Sequence, residues 1–196
     1  MSTAPTPKLA VALPPLLPRL ELDSAAATLL DGAPHAAEAV DRLEQSGRLQ
    51  EASRLVAHAL PKREAVWWAC MCARAIPFPE ATPDDLAALE AAEAWVRQPE
   101  EAQRRAAMAA AEKSGFRSAE AWAAVGAFWS GGSMAPPESP AVPPAEHLTG
   151  VAIAGAVTLA AVRNPPQRAQ ERFARFLAAA RDIANGGAGR LPPETP

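Results

Sequence analysis

Apolar and polar positions recur along this chain at helical spacing. Between Arg48 and Leu60, the residues Ala52, Leu55, Val56, Ala59 and Leu60 form one stripe, because positions three and four apart share a helix face. Before it, Pro34 opens a helix carrying Ala36, Val40 and Leu43 on one side and closed by Gly47; a short helix runs from Asp23 to Gly32. After it the pattern changes. From Ala65 to Ala73 the chain is apolar without a break. A helix apolar on every side belongs inside other helices, so Pro61 to Arg74 is expected to be the hub of the fold. Pro61 suits a first helical position, where its missing N–H costs nothing. Trp67 and Trp68, about 100° apart on a helix, must face different neighbours.

Thr82-Pro83-Asp84-Asp85 carries a hydroxyl cap, a proline and two acids at the positive dipole end, and predicts a helix to Arg97. Pro99-Glu100-Glu101 opens another, ended by Ser114-Gly115, and Ser118 caps a third bearing Trp122, Val125, Gly126 and Trp129 on one side. Ala145 to Arg163 reads as a nearly uncharged helix whose Gly150, Ala154 and Gly155 permit close helix approach; Pro165-Pro166 start the last helix, to Ala184. No run reads as a strand. The predicted fold is therefore all-α, a single-domain bundle of about seven to eight helices.

Its expected organisation is a proline-rich arm (1–20), a helical core (21–130), a Pro/Gly-rich linker (131–144), a helical hairpin packed on the core (145–185) and a flexible tail (186–196). The arm's leucines either lie across the body or stay mobile. Pro34…Ser46-Gly47…Glu51-Ala52 echoes Pro99…Ser114-Gly115…Glu120-Ala121, either as a helical-hairpin repeat or as coincidence between alanine-rich hairpins.

Composition sharpens this picture. Hydrophobic residues make up 49% of the chain, but many are alanines, so a few large side chains must anchor the core. The expected structural core is Trp67, Trp68, Cys70, Trp122 and Trp129. A net charge of −3 argues against general nucleic-acid binding. Cys70 and Cys72, about 200° apart on a helix, can neither pair nor clamp one metal, which suits a reduced, cytoplasmic protein. Leu148 to Val162 is too short to cross a membrane comfortably.

Motifs that carry chemistry are sparse in this chain. His35, His58 and His147 each lack a ligand partner at helical spacing. No Gly-x-Ser-x-Gly elbow or phosphate loop is present, and the acid pairs Asp84/Asp85 and Glu100/Glu101 sit where helix dipoles favour them. No catalytic, cofactor-binding or metal residue is therefore assigned, and an enzyme is not expected. Two cationic features stand out. Lys62 and Arg63 lie in the first turn of the hub helix, where the dipole disfavours them, so an acidic neighbour or an acidic partner should offset the charge. Arg168, Arg172 and Arg175 share one face of the last helix, with Glu171 placed to pair with Arg175.

The segment Ala59-Leu60-Pro61-Lys62-Arg63-Glu64-Ala65-Val66-Trp67-Trp68-Ala69-Cys70 resembles an uncharacterised bacterial family, a domain of unknown function with an ALPxREAVWWAC-like core. The resemblance implies a setting beside type VI secretion components, and no catalytic residue. The resulting expectation is a non-enzymatic helical adaptor or scaffold that binds another protein through Lys62, Arg63, Arg168, Arg172 and Arg175 and through the leucine-bearing N-terminal arm. The rival expectation is an enzyme or small-ligand binder with a pocket beside Trp67 and Trp68, using Arg63 and Glu64.

Overall fold

The computed structural model describes residues 8–195; residues 1–7 of the predicted arm and Pro196 of the predicted tail lie outside the described range. Among the described residues there are nine α-helices, eight of them seven residues or longer, and no strand. They are α1 (Ser24–Leu29), α2 (Ala36–Gln45), α3 (Leu49–Ala59), α4 (Lys62–Ala75), α5 (Pro83–Arg97), α6 (Glu101–Ser114), α7 (Ala119–Phe128), α8 (Leu148–Ala161) and α9 (Ala169–Ala184).

The helix starts follow local chemistry. The Asp23 carboxylate accepts from the Ala26 N–H, Ser118 Oγ accepts from the Ala121 N–H, and Thr82 with Asp85 forms a reciprocal capping box. Gly47 and Gly115 end α2 and α6 at φ of 75° and 73°, the left-handed region that glycine enters without penalty. Three boundaries differ from expectation. Pro61 is the N-cap of α4, and its extended ψ of 143° keeps it outside the helix. Helix α8 starts at Leu148, because residues 146–147 form a turn. The last helix begins as a 3₁₀ turn, Pro166–Arg168, before α9.

Helix α4 packs against α3, α5, α7, α8 and α9, and α8 packs against α3, α4, α7 and α9. These two apolar helices hold the centre together, one domain with the 145–185 hairpin folded into it. Trp68 and Cys70 are fully buried, whereas Trp67, Trp122 and Trp129 are half-buried at the core's edge. Close approach depends on Gly126 of α7, where an added β-carbon would collide with Ile153 of α8.

Three arginines fasten the loops to this body. Arg104, 4% exposed, stacks on Phe128 at 4.5 Å and donates to the Phe128 and Ser133 carbonyls, so the 131–144 segment is tied down near its start. Its partner Glu101 is held down to a pKa of about 2 by the Arg104 guanidinium. Arg163 grips both oxygens of buried Glu120 at 2.6 and 2.5 Å and the Ala73 and Ile76 carbonyls. Arg172 does the same for the tail.

The arm, from Lys8 onward, lies across the body. Leu9, Leu13 and Leu20 are buried, and the Val11 and Leu9 carbonyls accept from the Ala36 and Ala37 N–H groups at 2.9 and 3.1 Å. Those donors open α2 and would otherwise be unpaired.

Candidate functional site: a cationic cleft between α3 and α8

The cationic residues singled out from the sequence are committed to the fold. Lys62 donates to the Ser130 carbonyl at 3.1 Å and Arg63 to the Val96 carbonyl at 2.6 Å. Both acceptors lie at helix C-termini, of α7 and α5, where the dipole is negative. Helix ends therefore offset these charges, in place of the acidic neighbour or partner the sequence predicted.

Arg168, Arg172 and Arg175 do not present an open face. All three converge on Glu194, at 2.7, 2.8 and 3.5 Å respectively. Arg172 is 1% exposed and holds Glu194 through two hydrogen bonds. Arg175 and Arg168 also donate to the Pro192 and Thr195 carbonyls, so residues 191–195 are strapped along the body. Glu171 pairs with Arg168, not with Arg175; the tail supplies the latter's carboxylate.

The tryptophans divide. Trp68 donates its indole N–H to the Phe176 carbonyl in the core, and Trp67 donates to the Ala188 carbonyl at the surface. Beside Trp67 lies an open cavity of about 280 Å³ bordered by Lys8, Arg63, Glu64 and Arg97. Three of its polar groups have partners: Lys8 pairs with Glu64 at 2.7 Å and Arg63 donates to the Val96 carbonyl. Burial pushes the Cys70 and Cys72 thiols well above their ordinary range, which leaves them inert. Trp122 and Trp129 pack edge to face, 6.2 Å apart. Among the described residues no cluster of His, Cys, Asp or Glu could hold a metal ion, and no single helix is long and apolar enough to cross a membrane.

The feature missed in the sequence is a cleft between α3 and α8, about 430 Å³ in volume. Gln50, Arg54 and His58 recur every four residues along α3 and form one wall; Val151, Thr158 and Leu159 of α8 form the other. The floor is Ala154 and Gly155, and a β-carbon at Gly155 would meet nothing within 4 Å. Arg19 from the arm and Glu21 just after it also line the cleft. The His58 ring rests on Gly150, where any β-carbon would overlap it. Burial, with the nearby charges of Arg19 and Arg54, pulls His58 down to a pKa of about 4, so the ring is neutral at pH 7. Arg54 is anchored on the Leu20 carbonyl at 2.7 Å and pairs with Glu21 at 3.5 Å, which leaves Arg19 as the cleft's unpaired cation among the described residues. The Arg19 side chain has no hydrogen bond or ion pair among the described residues.

Residues 39–184 match the model of DUF6931, a family of unknown function. The chain belongs to the DUF6931 family. No curated protein and no solved structure matches it. The DUF6931 region begins within α2 and closes with α9. It contains both walls and the floor of the cleft, while Arg19 and Glu194 come from segments outside it.

Proposed function

We propose that this DUF6931 protein is a non-enzymatic helical adaptor that holds an acidic segment of another protein in the α3–α8 cleft. The observation that carries this reading is the convergence of Arg19, Arg54 and a neutral His58 over a groove floored by alanine and glycine. Elsewhere the cationic groups predicted to meet a partner are bound to the chain's own carbonyls and tail. An exposed guanidinium above an open groove steers and orients an acidic partner, and its contribution is screened by salt. Val151, 44% exposed on the cleft wall, adds an apolar contact. The resemblance carried by residues 59–70 extends the proposal to the partner's setting: a type VI secretion component or its cargo, met in the cytoplasm.

The test is binding of a glutamate-rich synthetic peptide by fluorescence anisotropy over a salt series. Binding should be saturable, weaken with salt and be lost in Arg19→Glu, whose parent side chain makes no hydrogen bond or ion pair among the described residues. Equal binding by wild type and Arg19→Glu would refute it.

The cavity beside Trp67 supports a second reading, a small-ligand site. The indole offers a flat apolar molecule a stacking face, and its binding would alter Trp67 emission.

A further inference from the structure

A third cavity, of about 300 Å³, shares Arg19 and His58 with the cleft and is further walled by Lys62, His147, Thr149 and Gly150. It sits at the start of α8, a helix with neither a side-chain cap nor an acidic residue in its first turn. The Leu148 N–H donates to the Ala145 carbonyl at 3.0 Å, while those of Thr149 and Gly150 have no partner among the described residues and carry partial positive charge. Thr149, in that turn, is 2% exposed and its hydroxyl has no hydrogen-bond partner. A buried hydroxyl is rarely left so. Lys62 gives one of its three donors to Ser130, which leaves two. Glu146 is the single acid on the lining.

We propose that this cavity binds a tetrahedral oxyanion, a phosphate group, held by the Thr149 hydroxyl, the Lys62 ammonium, the Arg19 guanidinium and the Thr149 and Gly150 N–H groups that open α8. The proposal rests in part on the adaptor reading, since both use Arg19, and it deepens that reading by naming the anionic group the partner brings. Two sources supply the same chemistry: free phosphate and a phosphorylated side chain. Helix starts of this kind favour such anions.

His58 reports on occupancy. The charged and titratable groups around it are Arg19 from the arm, Glu21 after it, Arg54 on α3, Lys62 on α4, and Glu146 and His147 before α8. A bound phosphate offsets the cationic members of this set and makes the imidazolium easier to form.

The experiment is an NMR titration of the histidine side chains of the full chain with inorganic phosphate, repeated with a phosphoserine peptide. The expected result is saturable shifts at His58, a rise of its pKa, and at least tenfold weaker binding in both Thr149→Val and Arg19→Ala. Arg117→Ala, at an exposed site elsewhere, should bind as wild type does. Tighter binding of the peptide than of phosphate assigns the source to a modified protein; equal binding assigns free oxyanion. Non-saturating shifts, or full affinity in Thr149→Val, would overturn the proposal. Because Thr149→Val removes an unpartnered hydroxyl and retains shape, it should fold at least as stably as wild type. If phosphate binding fails while the glutamate-rich peptide still binds through Arg19, the oxyanion site alone falls; the reverse result removes the adaptor reading alone.

Discussion

Neutralising Glu194 without changing its size, as Glu194→Gln, is the sharpest perturbation of the tail. In the fold its carboxylate receives Arg172 Nε at 2.9 Å and Nη2 at 2.8 Å, with Arg168 and Arg175 alongside. The Arg172 and Glu194 side chains are 1% and 4% exposed. Removing one partner of a buried ion pair costs about 3–5 kcal/mol, because the other charge stays buried without compensation. Arg172 keeps its bonds to the Ala161, Arg163 and Asn164 carbonyls, which places the loss near the lower end, about 3 kcal/mol. For a domain of this size that is a fall in Tm of about 6–12 °C. The assay is thermal unfolding followed by circular dichroism across pH. The Arg172 guanidinium, with Arg168 and Arg175, holds the Glu194 carboxyl below its ordinary value of 4.5. Its stabilisation is therefore fully present above pH 4.5 and disappears as pH falls through the folded-state value, so the two proteins should converge in acid. The double variant Arg172→Met/Glu194→Leu should lose less than Glu194→Gln, since it leaves no unpaired charge. A neutral-pH loss below about 1 kcal/mol, the range of an exposed salt bridge, would refute the assignment of the tail as a buried strap.

Three further outcomes follow from the geometry. Gly150→Ala drives a methyl into the His58 ring and should cost about 1–3 kcal/mol by overpacking, measured by chemical denaturation, with a displaced His58 resonance. His58 is held at a pKa of about 4 against an ordinary 6.5, so the unfolded chain takes up a proton first; stability should fall as pH drops from 6.5 towards 4, and His58→Gln should flatten that segment of the profile. Cys70 and Cys72, buried with raised thiol pKa values, should resist a thiol-reactive dye at pH 8 in the native protein and react on unfolding.

Much of the helical framework was legible because caps and breakers act locally. Asp23, Thr82, Ser118 and Gly115 set their helix ends through bonds spanning a few residues, which spacing alone reveals. The buried arginines were not legible. Arg163 meets Glu120 from 43 residues away and Arg172 meets Glu194 from 22, and three arginines on one helix face otherwise read as a solvated stripe. The cleft was hidden for the same reason. Gly150 and Gly155 announce a close approach, yet only the fold decides that an imidazole fills one and open space lies over the other. Arg19 enters the site because the arm's leucines bury themselves on the body, an outcome periodicity left open.

The most direct measurement compares two positions in one protein: a photo-crosslinking residue placed at Val151 in the cleft, or at Ala178 on the exposed side of α9. Crosslinked peptides are then sequenced by mass spectrometry. The account predicts adducts to an acidic segment at Val151 that vanish in Arg19→Glu, and none at Ala178. Adducts confined to Ala178, or adducts at Val151 indifferent to that charge reversal, would contradict it.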